Sequence, residues 1–195
     1  MKNKKKKLIA ILLTLVCLFV VVLGALADEP LEARTRNIIT TGEVKIDLLE
    51  YADETCTTPY PEEPVTVMPG VSTTKVVKVE NTGTSEAWVR VKVDKTIELD
   101  GTVAGFTPDV SLIGLDINTA LWTQGEDGWY YYNRPLGAGV TTEAPLFTTV
   151  SFDTSMQNEY QNSTAKVNVV AQAVQVAHNG DTVLGAQGWP AEGGD

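Results

Sequence analysis

Two hydrophobic patterns divide this chain. Residues 8–23 are apolar throughout except for Thr14, a run of 16 residues where a bilayer span needs about 20. From Ile38 onward the pattern changes to alternation. Val44, Ile46 and Leu48 interleave with Glu43, Lys45 and Asp47; Val77 and Val79 with Lys78 and Glu80; Val89, Val91 and Val93 with Arg90, Lys92 and Asp94. A period of two is the mark of a strand with one buried face.

Turn chemistry cuts the alternating part into short pieces. Pro69-Gly70, Asp100-Gly101, Asp127-Gly128 and Asn179-Gly180 are the clearest breaks. Strands are expected within 38–51 and over 65–68, 73–80, 87–97, 121–123, 129–133, 146–152 and 165–177, with 110–117 a strand or an irregular run. The segments 73–80 and 87–97, joined by turn formers at 81–86, predict a hairpin with a charged outer face and a valine inner face. A second hairpin is expected across 124–128. Residues 182–186 suggest one helical turn, after which the tail should fray. No helical period competes. The expected fold is all-β, an antiparallel sandwich of two sheets and about eight strands.

Composition changes the picture at the N-terminus. Five lysines (Lys2 and Lys4 to Lys7) precede the apolar run, and Ala25 and Ala27 place small residues before Asp28. This is the layout of a secretory signal over residues 1–27, cut before Asp28; an uncleaved N-terminal anchor is the competing reading. The remainder is expected to work outside the cytoplasm, meeting the membrane only through the signal. Beyond residue 27, ten basic residues face 25 acidic ones, a net of −15. That charge disfavours nucleic acid and anionic lipid as partners. Cys17 lies in the signal, so Cys56 stands alone in the mature chain, as a free thiol or an intermolecular bridge, and the fold must rest on its core.

Catalytic chemistry finds little support. His178 is the sole histidine, which excludes a two-histidine zinc motif; a triad could recruit only His178, no serine sits in a Gly-x-Ser-x-Gly elbow, and His178 reads as an exposed turn residue. Asp53-Glu54 and Glu62-Glu63 read as solvated loop charge rather than a calcium site. No catalytic, cofactor or metal residue is assigned, and no cofactor is expected. In Trp129-Tyr130-Tyr131-Tyr132, alternate rings should point inward as core and outward as packing, an interface or a sugar-stacking surface. Asn162-Ser163-Thr164 matches a glycosylation acceptor, and no Leu-Pro-x-Thr-Gly sorting motif occurs.

Residues 28–41 form a polar arm that gains strand character only near Ile38. In an extended arm, Leu31, Ala33, Thr35, Asn37 and Ile39 share one face, making it a candidate donor strand. An open sheet edge accepts any extended partner through its main chain, and head-to-tail donation does not close on itself. The expected organisation is signal 1–27, arm 28–41, sandwich 42–180 and tail 181–195.

Several segments in order resemble one family. They are the signal ending at Ala27, Ala33-Arg34-Thr35 running into Thr41-Gly42-Glu43-Val44-Lys45-Ile46, Val79-Glu80-Asn81-Thr82-Gly83 to Ala87-Trp88-Val89-Arg90-Val91, Asp127-Gly128-Trp129-Tyr130-Tyr131-Tyr132, and Ala171-Gln172-Ala173-Val174-Gln175. Together they resemble the TasA/camelysin group of SipW-dependent secreted proteins of Gram-positive bacteria, nearest to its BsaA-like biofilm matrix branch. The resemblance implies a jelly-roll-like sandwich, export through a SipW-type signal peptidase, and a structural role. That role is self-assembly into homopolymeric matrix fibres at or outside the cell surface by arm donation. It carries over no catalytic residue. A surface module binding glycan or protein, and a camelysin-like metallopeptidase, are the alternatives.

Overall fold

The computed structural model describes residues 44–61, 69–100 and 105–191, together with the backbone of Val65 and Thr66. Ten strands occur among them: β1 (Ile46–Tyr51), β2 (Val65–Thr66), β3 (Ser72–Thr74), β4 (Val76–Asn81), β5 (Ala87–Glu98), β6 (Ile113–Leu115), β7 (Trp122–Gln124), β8 (Tyr130–Tyr132), β9 (Thr149–Phe152) and β10 (Thr164–Gln175). Every strand pair is antiparallel. Helical structure among the described residues is limited to 3-10 turns at Val110–Leu112, Asn158–Tyr160 and Val183–Gly185. The chain is an all-β sandwich, as its alternation predicts.

One layer is a five-stranded sheet in the order β2-β10-β5-β8-β7. The other joins the pair β1-β4 to the sheet β3-β9-β6. β3 and β4 are consecutive, interrupted only at Lys75, and the chain leading into β9 runs beside both. Val77 N–H donates to Phe147 O (3.0 Å), Leu146 N–H to Val77 O (2.8 Å) and Thr142 N–H to Val79 O (2.9 Å). These bonds make the two smaller sheets one continuous layer. Val77 and Val79 of β4 and Val89 and Val91 of β5 meet between the layers with Trp122, Leu136, Leu146 and Phe147, all at most 2 % exposed.

The segments 73–80 and 87–97 do not form a hairpin. β4 pairs with β1, whereas β5 pairs with β10 and β8 in the opposite layer. Alternation fixes which face of a strand is buried, not which strand lies beside it. Here two valine faces bury each other across the interior, and 81–86 arches over the gap. Asn81, fully buried, shapes that arch: its Nδ2 donates to Ser85 O and Leu136 O (2.8 Å each), and its Oδ1 accepts from Gly83 N–H (3.0 Å). The second expected hairpin forms. β7 and β8 pair across a turn in which Gly128 takes φ +80°, a value that favours glycine.

Two further expectations are corrected. The outer face of β5 is a charged solvent face only over its second half, at Asp94 and Glu98; at its start Trp88 and Arg90 are buried. The tail does not fray directly after its helical turn. Residues 181–191 fold back as a strap, and Val183, Ala186 and Trp189 form a second apolar cluster with Trp88, Trp129, Tyr131 and Val174.

Candidate functional site

β10 and β5 are both twelve residues long and pair along their whole length, from Thr164↔Glu98 to Gln175↔Ala87. Residues of an antiparallel strand present their N–H and C=O to alternate sides. Val176 N–H donates to Glu86 O, in line with that register, so the even-numbered residues of β10 face β5. The odd-numbered ones face away. Ala165 meets β2 there, but β2 reaches no further than the first two residues of β10. At Val167, Val169 and Ala171 no described strand pairs with the outward N–H and C=O groups.

The neighbouring edge of the other layer likewise lacks a partner among the described residues over part of its length. Ala52 N–H donates to Thr58 O and Tyr60 N–H to Glu50 O (2.9 Å each), which turns the even-numbered residues of β1 away from β4. The loop 52–60 therefore covers the Glu50 end of β1 and leaves Ile46 and Leu48 without a described partner. That loop is held by Asp53, which accepts from Thr58 N–H (2.6 Å) and Thr57 N–H (3.3 Å). The Thr55 hydroxyl and these N–H groups keep its carboxyl well below the usual carboxylate range. Lys75, buried between β3 and β4, approaches Glu50 Oε1 at 2.7 Å and lies 3.9 Å from the Tyr60 ring centre. This contact is an ion pair by distance rather than a well-directed hydrogen bond.

β1 and β10 run close together along this border. Leu48, Val93, Val167 and Val169 point toward the core there but are only partly buried, unlike the valines deeper in β4 and β5. Among the described residues the border thus combines two features that rarely persist together in a solitary sandwich: main chain without a described partner on both layers and a strip of core not fully covered. Chemically it offers what an extended segment needs, namely ladder groups and an apolar floor.

The outer face of the five-stranded layer carries the most ordered polar group. Arg90 donates to Gln172 Oε1 through Nε (3.0 Å) and Nη2 (2.7 Å), and through Nη1 to the Tyr131 hydroxyl (3.1 Å) and Asp127 (3.4 Å). Its guanidinium lies between the indoles of Trp129 (4.2 Å) and Trp189 (4.6 Å). Burial pushes the Asp127 carboxyl up, but the Tyr131 hydroxyl, the Trp129 N–H and the Arg90 charge outweigh it and hold the carboxyl below its ordinary value. The Tyr131 phenol is pushed up by burial and by that same bond.

The sequence-derived candidates fall as follows. Ala25, Ala27 and Asp28 of the signal junction lie outside the described residues, as do Leu31, Ala33, Thr35, Asn37 and Ile39 of the arm. His178 is an exposed residue at φ +60° beside Asn179-Gly180. Cys56 occupies the exposed loop after β1 at φ +55°. Among the described residues no group of three or more His, Cys, Asp and Glu could hold a metal ion. Tyr130 and Tyr132 face the core, while Trp129 and Tyr131 face outward under the strap. Trp129 and Tyr131 are 2 % and 7 % exposed, so neither offers an open ring face. The alternation read these ring directions correctly but not what lies over them. The signal missed was the tail, which carries no charge from Thr182 to Ala191 and includes Trp189. No family model, curated protein or solved structure matches this chain.

Proposed function

We propose that this chain is a secreted structural subunit of an extracellular biofilm matrix. It is exported by a SipW-type signal peptidase and assembles into homopolymeric fibres. In this reading the arm, residues 28–41, leaves its own subunit and adds as a strand to the border between β1 and β10 of the next. The observation that supports it is the border itself, where the main chain at Ile46, Leu48, Val167, Val169 and Ala171 has no strand partner among the described residues and lies over a partly covered apolar strip. An extended arm supplies ladder groups to any such edge, and Leu31, Ala33 and Ile39 supply apolar contact from one face. The order of strands supports the jelly-roll part of the reading. β2-β10-β5-β8-β7 forms one layer and β1-β4 with β3-β9-β6 the other, so strands distant in sequence lie side by side, as they do in a jelly roll.

The alternatives find less footing. A glycan-binding surface at the outward aromatics lacks an accessible ring, and a metallopeptidase lacks a ligand cluster among the described residues.

Electron microscopy and sedimentation of the exported chain, with and without residues 28–41, test the proposal. The full chain should form filaments and the shortened chain should sediment as a monomer. Filaments of equal length and yield from the shortened chain would rule out arm donation.

A further inference from the structure

The strap is attached in a way that the rest of the fold is not. Val183, Ala186 and Trp189 pack only in the outer cluster, apart from the core between the layers. The strap is pinned at two points. Asn179 holds the Gln187 main chain in both directions, Nδ2 donating to Gln187 O (2.9 Å) and Oδ1 accepting from Gln187 N–H (2.7 Å). Trp189 lies over Arg90 at 4.6 Å and meets Tyr131 edge-on at 5.8 Å. Lifting residues 181–191 would break these contacts without opening the sandwich.

The hinge that returns the strap is tight. His178 and Gly180 have φ of +60° and +69°, and a Cβ at Gly180 would come within 3.0 Å of the Gly185 carbonyl. Glycine meets the second requirement without cost, whereas the left-handed non-glycine residue at 178 places local strain in the connector. A short strained connector that returns an element to its own subunit favours exchange of that element between copies.

We propose that the strap is exchangeable, and that residues 181–191 of one copy seat on the Arg90–Trp129 face of a second copy of this chain. The strap occupies that face in its own subunit already, so each contact described above can be remade between copies with no new chemistry. Opening the chain after Gly180 frees the connector from the turn that returns the strap to its own subunit. Asn179 precedes the opening point and stays on the receiving subunit, where it takes the Gln187 main chain of the incoming strap. Exchange is favoured by concentration and is independent of the arm.

Two batches of the exported chain, both Cys56→Ser, test this. One carries a donor dye at Ala191→Cys and the other an acceptor at Glu126→Cys. Energy transfer after mixing should rise slowly with concentration and fall several-fold when the synthetic peptide of residues 181–191 is present in excess. A donor batch that also carries Trp189→Ala should lose the transfer while still forming any arm-driven filaments, which microscopy reports separately. Absence of transfer at every concentration, or transfer indifferent to both the peptide and Trp189→Ala, would overturn exchange and leave arm donation untouched.

Discussion

Arg90 shows how one residue can tie three strands together. It sits on β5 opposite Gln172 of β10 and Tyr131 of β8, so its guanidinium spans the centre of the sheet. Gln172 is 2 % exposed and its Oε1 takes two of the Arg90 donors. Removing Arg90 strands that oxygen, which costs roughly 1–3 kcal/mol, and forfeits the indole contacts, worth about 0.5–2 kcal/mol. Arg90→Met should therefore destabilise the fold by about 2–4 kcal/mol in urea unfolding. Adding Gln172→Leu removes the stranded group as well and should recover part of the loss; a double variant less stable than Arg90→Met would refute this account. Gly125 supports the same cluster by absence. A Cβ there would lie 2.6 Å from Asp127 Oδ1 and 2.7 Å from the Tyr131 ring, so Gly125→Ala should push both from Arg90 and lower the melting temperature. None of this was legible from the alternation, which assigned Arg90 to water. The rule describes a sheet with one wet face, and the strap makes the Arg90 end of this one dry on both.

At the scale of elements, β10 makes the functional reading separable from stability. Val169 turns its N–H away from β5 and Val170 turns its own toward it, by the alternation that Val176 anchors. Proline at 169 thus removes a donor that no described strand uses, whereas proline at 170 breaks the central ladder. Val170→Pro should cost roughly 2–4 kcal/mol and unfold readily. Val169→Pro should keep most of its stability by circular dichroism yet form few or no filaments by microscopy. Filaments from Val169→Pro as abundant as those of the unaltered chain would place the acceptor edge elsewhere. Legibility also divides at this scale. Strand positions, the β7–β8 hairpin and the length of β10 follow from periodicity and turn residues, which act over a few neighbours. The partners of β4 and β5 do not, because a six-residue connector serves an arch as well as a hairpin. Only the buried side chain of Asn81, a tertiary fact, distinguishes the two. The border was equally hidden, since it is defined by which outward main-chain groups β2 and the loop 52–60 take up among the described residues.

For the whole molecule, charge sets the conditions under which copies can meet. Residues 28–195 carry a net of −15, so the proposed assembly would bring large like charges together. Screening shortens that repulsion to about 8–10 Å near physiological salt, so filament growth followed by light scattering should quicken as salt rises from low ionic strength. Acid should act in the same direction within a limited window. Ordinary surface carboxylates take up protons around pH 4–4.5, which sheds repulsion. Asp116 and Asp127 lag behind. Burial raises the Asp116 carboxyl, but the Thr148 hydroxyl and the Thr148 and Thr149 N–H groups more than offset it, and its net position is low. A depressed folded-state pKa contributes stability that is present above the unfolded value and lost as pH falls through the folded one. These tethers, which bind the chain after β6 to the approach of β9 and the β7–β8 turn to Arg90, therefore persist while the surface is already losing charge. Filament growth should peak between about pH 4 and 5 and collapse below that, together with the near-ultraviolet circular dichroism of the buried tryptophans. Growth that is fastest at low salt and neutral pH would mean that something other than main-chain addition, a charge-paired interface, joins the subunits.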